Sequence, residues 1–473
     1  MNNLVIDMTH GGVKIAINLA KKGRNVLAFD IYDTLNAVDK RMLEVYDVYL
    51  LGSLEDLKDF KGEVRVISPV HLPLTPDEII QNNPDLKYTF ITHHEAVLEL
   101  LDGWGEDIPK IEVTGVKGKT SSVFMLKEIL IDSNPLILSS LGAILYEDKN
   151  ELILKKNISI TPANIKETID LAYKVANPVC KIAEGVVESE NLKKYSSAVF
   201  ESSLGVSGIG DVGLLTNISE NYPIAKNHSC AAEAKKQVFR CPCVAIEKEC
   251  YDKYYSDVDH KNVNTFSTTD ESANLYAESV NYSLDRTEIT VKYNNVCSIN
   301  GNILNGNLTV ETFAPGTHHV SNVLGVILTC ICLEIDEDKI ISSLANYNGI
   351  TGRSKKRSIE NSTVIEEINP GINTDAIKKS VEMIQDIDCW NIAIGGDYGI
   401  TCEEIDEDKV ASYLNTIDAD FMLTGPLGKS LSEKISKNIE YIENYKEIYD
   451  LTVKENKNLL FIYRSDYRQL SQR

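Results

Sequence analysis

The chain has 473 residues, 43% hydrophobic and 25% charged. That balance excludes a disordered chain, a collagen-like repeat and a disulfide-framed mini-protein. Its 48 Lys and Arg stand against 70 Asp and Glu, a net charge of -22; so acidic a chain repels phosphate backbones, which argues against nucleic acid as a partner and leaves room for a local basic pocket holding a small anion.

At roughly 150 residues per domain the length suggests about three domains. No run reaches the roughly 18 apolar residues that span a bilayer, and the longest, Val323–Leu333, reads as a buried helix, so no membrane association is expected. Met1–Asp7 lacks a basic region and carries an acid in its apolar run, which argues against a signal peptide. The ten cysteines are scattered. Cys241/Cys243 and Cys330/Cys332 form C-x-C pairs, which fit reduced, buried thiols of a cytoplasmic protein better than a zinc site.

In chain order, the apolar run Leu4–Ile6 reads as a strand and Val13–Ala20 as a helix that Gly23 ends. A second strand, Val26–Phe29, completes a βαβ unit with a glycine-containing first turn. Further strands are expected at Val45–Leu51 and Val64–Ser68, then a Pro-rich stretch to Pro76 and a short helix from about Asp77. The loop Asp102–Pro109 is the expected domain boundary. A second domain opens with the strand Lys110–Val113 and alternates strands and helices to about Asn348. A third opens near Gly352, with strands expected at Ser362–Glu366, Trp390–Ile394, Phe421–Leu423 and Leu459–Tyr463. This alternation predicts α/β domains with mainly parallel sheets.

The strongest chemical signal is Ile111–Ser122. A strand runs into Gly115, Val116, Lys117, Gly118, Lys119, Thr120 and Ser121, and then into the helix Val123–Leu130. Such glycines let backbone N–H groups turn inward around a phosphate, and the helix N-terminus adds partial positive charge. Lys119 would reach the β/γ phosphates of ATP, and the Thr120 hydroxyl would sit on Mg²⁺. The first glycine of the usual spacing is absent, because position 113 is Val113.

This loop resembles the ATP loop of the Mur ligase family, which has the same short form, and other segments follow in the family's order. Phe200–Gly205 resembles its E-x-S-S-x-G segment, which implies that Glu201 binds Mg²⁺. Thr216-Asn217-Ile218 resembles its T-N-hydrophobic segment. Lys235, with Lys236 as the alternative, falls near the family's carbamylated, metal-binding lysine. Gly316–Asn322 resembles the helix start beside the adenine, implying a nucleotide contact from Asn322. Gly352-Arg353 resembles the dipeptide whose arginine contacts the nucleotide phosphates. The resemblance implies an α/β, three-domain Mur ligase-like architecture: a Rossmann-like N-terminal domain (1–106), a P-loop central ATPase domain (107–350) and an α/β C-terminal ligase domain (351–473). Lys119, Glu201 and Lys235 would carry the catalysis.

Some family motifs are altered. Asn221 and Tyr222 stand where the family has an Asp-His pair whose His binds metal, and His228 is a candidate substitute. Val364–Asn373 fills the slot of a D-D-Y-A-H-N-P motif, with Glu366 or Glu367 left to accept a hydrogen bond from ribose. The D-N-P-R motif that holds an incoming amino acid is missing; its slot reads Leu423–Gly428. A site without that clamp need not bind a separate amino acid.

Three polar segments fall at strand or loop ends of the first domain, where open α/β sheets bind ligands. They are Asp7–Gly12, with His10, Gly11 and Gly12; Ser68–Leu72, with His71; and Thr92–Glu95, with His93 and His94. Together with the segments Glu220–Ala225 and Glu367–Asn373 they resemble one branch of the family, the archaeal coenzyme F-430 synthases. That implies an ATP-dependent ligase of methanogenesis cofactor biosynthesis, which activates a propionate of a nickel tetrapyrrole acid and closes a carbocycle in the same molecule. Two other functions stay open. One is an ATP-dependent peptide ligase of pseudomurein precursors; the other is a nucleotide-dependent tetrapyrrole-binding protein.

Overall fold

The computed structural model describes residues 1–176, 195–384, 389–399, 405–418, 420–437 and 439–465. Cys180 and Cys402, two of the ten cysteines, lie outside them. The chain divides into two compact units. The first is Met1–Glu278, Val291–Leu308 and Ser321–Ile340, and the second is Ser279–Thr290, Thr309–Val320 and Ile341–Arg473.

The first unit opens with a five-stranded, all-parallel sheet. Its order is Tyr49–Leu51, Asn25–Phe29, Asn2–Ile6, Glu63–Ser68, Lys87–Thr92. The chain winds outward from Asn2–Ile6 in one direction and then restarts on its other side with Glu63–Ser68. The switch point therefore falls between these two strands, and a crevice opens beyond their C-terminal ends. Leu4 and Ile6 pack into one apolar layer, with Val64 and Val66, and Val5 and Ile67 into the other. That two-sided burial is why the strands read as continuous apolar runs. The expected strand Val45–Leu51 is corrected. The Asn36 side chain accepts the N–H groups of Val38 and Asp39, both at 2.9 Å, and caps a helix Ala37–Val45, so only Tyr49–Leu51 remains extended.

A second, eleven-stranded sheet is parallel through its middle. There the order is Val263–Ser267, Cys243–Glu247, Val212–Leu215, Lys110–Thr114, Ser197–Glu201, Pro135–Ser139. Gly142–Glu147 and Asn150–Lys155 extend one edge as an antiparallel hairpin. Leu275–Asn281, Thr287–Cys297 and Ile303–Thr312 extend the other. Neither extension was expected from the sequence. Of the expected helix Val323–Leu333 all but Leu333 is helical, within a helix Thr317–Cys332. Among the described residues no helix is long and apolar enough to cross a membrane.

The second unit holds a six-stranded sheet in the order Ser354–Ile359, Ser362–Ile368, Asn458–Arg464, Trp390–Gly396, Phe421–Thr424, Glu440–Ile442. All pairs are parallel except the first, an antiparallel hairpin. The four strands expected here form, each slightly longer than its apolar run.

Lys110–Thr114 is buried at every residue, including Glu112. The Glu112 carboxylate accepts four hydrogen bonds from nitrogen and oxygen donors, Ser207 N and Oγ (both 2.8 Å), Gly208 N (2.7 Å) and Gly210 N (3.2 Å), and a longer one from Cys241 Sγ (4.0 Å). It thus anchors the turn that links Ser197–Glu201 to Val212–Leu215. Glu112→Ala strands those donors away from water and is expected to cost on the order of 3 kcal/mol or more. Urea denaturation measures it; a change under about 0.5 kcal/mol, the size of an ordinary surface substitution, would contradict this role.

Candidate active site

The phosphate loop leaves the strand Lys110–Thr114 and enters a helix, Lys119–Leu130, that starts four residues before the expected Val123. Gly118 caps this helix with φ 85°, a left-handed conformation that suits glycine. A Cβ there would overlap the Asn322 side chain, so Asn322 lies directly on the loop. The Lys119 ammonium folds over the loop onto the carbonyls of Gly115 (3.0 Å) and Val116 (3.3 Å). Ser121 follows Thr120 in the first helical turn.

Two neighbouring strands deliver the rest. Beyond Val212–Leu215, the Thr216 hydroxyl donates to Lys117 O (2.6 Å), while Asn217 Oδ1 accepts Lys117 N (3.1 Å) and its Nδ2 donates to Lys117 O (3.1 Å). These bonds fix the loop's shape from outside it. Ser197–Glu201 ends on Glu201, buried at 2% exposure. Its Oε1 accepts the Thr120 hydroxyl at 3.1 Å, and its Oε2 accepts Ser140 N at 3.0 Å. Thr120 and Glu201 present adjoining oxygens at the helix N-terminus, a donor set that suits Mg²⁺.

Lys235 is fully buried and donates to Ser203 O at 2.6 Å. Burial, reinforced by the Lys119 charge, pushes its amine down to about 7. Three sequence candidates, Lys119, Glu201 and Lys235, therefore belong to one site. His228 does not join them. It follows a tight turn, Ala225–Asn227, in which all three residues have positive φ, and this turn carries it to the exposed surface. Among the described residues, His, Cys and carboxylate donors converge in threes at two places: Asp7, His10 and His71, and His318, His319 and Glu367.

The first convergence lies at the switch point. Asp7 is fully buried after the strand Asn2–Ile6, and His71 follows Glu63–Ser68. His10 Nδ1 lies 2.6 Å from Asp7 Oδ2, and His71 Nε2 lies 3.6 Å from the same oxygen. Gly11 has φ 100°, and a Cβ on it would overlap Ala163; on Gly12 a Cβ would overlap the Asp7 carbonyl. His93 and His94 open the helix His93–Leu100 beneath this crevice. Both are buried. His93 Nε2 meets Ile6 O at 3.0 Å, and the charges that reach His94 include Arg240 and Lys235. The histidine crevice and the phosphate site thus share one compact unit.

In the second unit, adjacent carboxylates point to opposite faces of the strand Ser362–Ile368. Glu366 is engaged by Arg357 (2.7 Å) and the Tyr449 hydroxyl (3.0 Å). Glu367 instead meets His319 through Ser354. Gly316 N donates to His319 Nδ1 (3.2 Å), so His319 Nε2 carries the proton and faces Ser354 Oγ (2.9 Å), which donates to Glu367 Oε2 (2.7 Å). Among the described residues Glu367 Oε1 has no hydrogen-bond partner. Burial pushes Glu367 up to about 7, a rise the Ser354 bond partly offsets. The Gly352-Arg353 turn keeps its glycine at φ 82°, and Arg353 caps its own turn through Gly352 O (2.7 Å). The Leu423–Gly428 slot is a strand end and a helix start.

Glu112, Ser140 and the Ser354–His319–Glu367 chain were missed by sequence reasoning. Each acts through a partner distant in sequence, so no local motif marks it. Asp7 was visible only as the first letter of a histidine motif.

The buried histidines set a pH dependence. Burial pushes His93 down to about 4 and His94 down to about 3, against an ordinary value of 6.5. The unfolded chain therefore binds protons that the folded chain refuses. Stability is fully present above pH 6.5 and falls as the pH drops toward the folded values, by up to about 1.4 kcal/mol per pH unit for each histidine. Among the described residues neither His94 ring nitrogen has a hydrogen-bond partner. His94→Leu thus removes the proton uptake without removing a bond. Denaturation midpoints followed from pH 6.5 to 4 should fall less steeply in this variant, by about one proton. Identical slopes would mean that His94 protonates inside the fold.

Residues 356–466 match the family model of the C-terminal domain of coenzyme F430 synthetase CfbE. The chain is 27% identical over 455 residues to the coenzyme F(430) synthetase of Methanocaldococcus jannaschii, an alignment covering 94% of this chain and 95% of that protein. It is 32% identical over 238 residues to the coenzyme F(430) synthetase of Methanosarcina acetivorans, covering 50% of this chain and 46% of that one. In fold it is similar to the UDP-N-acetylmuramoylalanyl-D-glutamyl-2,6-diaminopimelate–D-alanyl-D-alanyl ligase of Acinetobacter baumannii, with a TM-score of 0.58 at 13% identity over 99% of this chain and 92% of that one. The α/β Mur ligase-like architecture expected from the motifs is thus the one observed, and in sequence the chain is similar to the coenzyme F(430) synthetases.

Proposed function

We propose that this protein is an ATP-dependent ligase that activates a carboxylate of a nickel tetrapyrrole acid as an acyl phosphate and then closes a carbocycle within the same molecule. The observation that carries this reading is the convergence of Lys119, Thr120, Glu201 and Lys235 on a phosphate cradle, in the same compact unit as a histidine-lined crevice. Kinship with the coenzyme F(430) synthetases supports the choice of substrate.

The cradle fits ATP, because its loop leaves no room for side chains at Gly118 and the helix N-terminus faces it. Thr120 and Glu201 would hold Mg²⁺. ATP supplies the phosphoryl group, and Mg²⁺ screens the charge between it and the approaching carboxylate. Lys119 neutralises charge that spreads over the transferred group. Asn322 and Arg353 are read as further nucleotide contacts. His10, Gly11, Gly12, His71, His93 and His94 form the crevice assigned to the acid substrate. Its histidines and small residues suit a broad, flat ring better than a second anion.

Lys235 is read as a carbamate. A buried amine held near 7 is partly neutral at physiological pH, and a neutral amine adds CO₂ to become an anionic metal ligand. Its neighbour Lys236 lies outside the burial that depresses Lys235. The Leu423–Gly428 slot offers no Asp-Arg clamp for an amino acid, which supports an intramolecular nucleophile.

Three measurements test the reading. With the open-ring nickel tetrapyrrole acid, one ADP and one phosphate should form per ring closed, with no amino acid added. Turnover only after a peptide precursor and an amino acid are supplied would overturn the cyclase and favour the peptide ligase, and tight binding without ADP release would favour a tetrapyrrole carrier. Lys119→Ala should lose about 2–4 kcal/mol of transition-state stabilisation, read as kcat/KM for ATP, while its melting temperature stays close to that of the parent. Enzyme depleted of CO₂ should regain activity with bicarbonate, and Lys235→Arg should be inactive, since a guanidinium cannot carry the carbamate. A fully active arginine variant sinks the carbamate.

A further inference from the structure

The Asp7–His10 pair has a geometry that substrate binding alone does not require. Asp7 ends its strand with φ 74° and is fully buried, whereas the His10 side chain is 42% exposed. Asp7 Oδ1 accepts the N–H groups of Thr9 (2.9 Å) and His10 (3.2 Å). These two bonds fix the carboxylate so that Oδ2 faces His10 Nδ1 at 2.6 Å. An ionised carboxylate only accepts, so Nδ1 carries the proton and Nε2 is the nitrogen left to act as a base. The His71 ring stands edge-on to the His10 ring, 4.6 Å between centroids at 89°, and supports its orientation; Tyr32 packs on another side at 5.9 Å. His93 holds the strand behind Asp7 through Ile6 O. Burial alone would raise the Asp7 pKa, but the hydrogen bonds of His10 and His71 reverse this and hold it well below the usual carboxylate range. The Asp7 bond in turn raises that of His10.

A chain of contacts joins this pair to the phosphate site inside the first unit. Gly11 packs on Ala163 and Thr161; the neighbouring Ile160 O accepts Ser203 N at 3.2 Å; Ser203 O accepts Lys235 Nζ at 2.6 Å.

We propose that His10 is the general base for carbon–carbon bond formation and that Asp7 is its positioning residue. The proposal rests on the cyclase reading above. A ring carbon that bears hydrogen must lose its proton for the new ring to stand. His10 Nε2 takes that proton. The electron pair of the broken C–H bond forms the C–C bond to the carbonyl carbon of the acyl phosphate. The C–O bond to phosphorus-bearing oxygen breaks, its pair leaves with inorganic phosphate, and a cyclic ketone remains. The imidazolium, stabilised by Asp7, returns its proton to solvent. This arrangement uses the acid–base half of a Ser-His-Asp triad with a carbon acid in place of the serine.

The test uses the full chain, ATP and the open-ring nickel tetrapyrrole acid, with two readouts. Activation is read as ¹⁸O transferred from the substrate carboxylate to phosphate, and closure as loss of one water from the tetrapyrrole by mass. His10→Gln should lose closure by about 10²–10⁴-fold and activation far less than closure, so that ATP is spent on hydrolysed acyl phosphate. The parent's closure rate should rise with pH as His10 deprotonates. That limb should move to lower pH in Asp7→Asn, because the charge that raises His10 is gone, and vanish in His10→Gln. If Asp7→Asn does not fold, His10→Gln decides alone, since its side chain is partly exposed. Closure retained in His10→Gln overturns the proposal. So does equal loss of activation and closure, which means a binding role, and so does a transition metal that copurifies with the parent and is lost in both variants. A parent that activates no carboxylate of this substrate overturns the cyclase reading itself, and the base with it.

Discussion

Three parallel strands that end together determine the chemistry of this protein. Ser197–Glu201 pairs Glu201 with Val113, and Val212–Leu215 pairs Leu215 with Thr114. Parallel pairing puts all three C-terminal ends on one side of the sheet, where one strand becomes the phosphate loop, the second stops on a carboxylate and the third continues into Thr216 and Asn217. The central strand is buried on both faces, so its polar residues must each be satisfied internally. Glu112 takes four nitrogen and oxygen donors, and Lys110 donates to Gly105 O, Ile108 O and Asp211. The scaffold's few buried charges therefore hold the turns that aim the site.

A second constraint is the winding order of the first sheet. Because the chain reverses direction between Asn2–Ile6 and Glu63–Ser68, the residues after these strands face one crevice although they are more than sixty apart in sequence. Asp7 and His71 meet there for that reason. The helix that follows the outermost strand lays His93 and His94 under the same crevice, deep enough to keep both neutral.

Histidines show how far environment divides one residue type. His10 is partly exposed beside a buried carboxylate and holds its proton more firmly than usual. His93, His94 and His318 are buried and give theirs up. His319 takes a definite tautomer from one backbone N–H. Glu366 and Glu367 divide in the same way: neighbours in sequence, they face opposite sides of a strand, one paired to Arg357 and the other linked through Ser354 to His319.

The sequence by itself determined the α/β class, the strand–loop–helix succession that holds Lys119 and Thr120, and strands of the first and last parallel sheets. These are local: glycine conformation, apolar runs and a strand–loop–helix succession are written in consecutive residues. It did not determine that Val45 ends a helix, because the Asn36 cap competes with a plausible strand pattern. It left Glu366 and Glu367 as equals and offered His228 as a ligand. Only the tertiary structure decided that Lys235 is buried beside Lys119, that His228 is turned outward, and that Asp7 lies under His10 and His71. Each outcome depends on desolvation and on partners far along the chain, and charge state follows from them. A residue's type fixes which protons it can hold; the fold fixes whether it holds them.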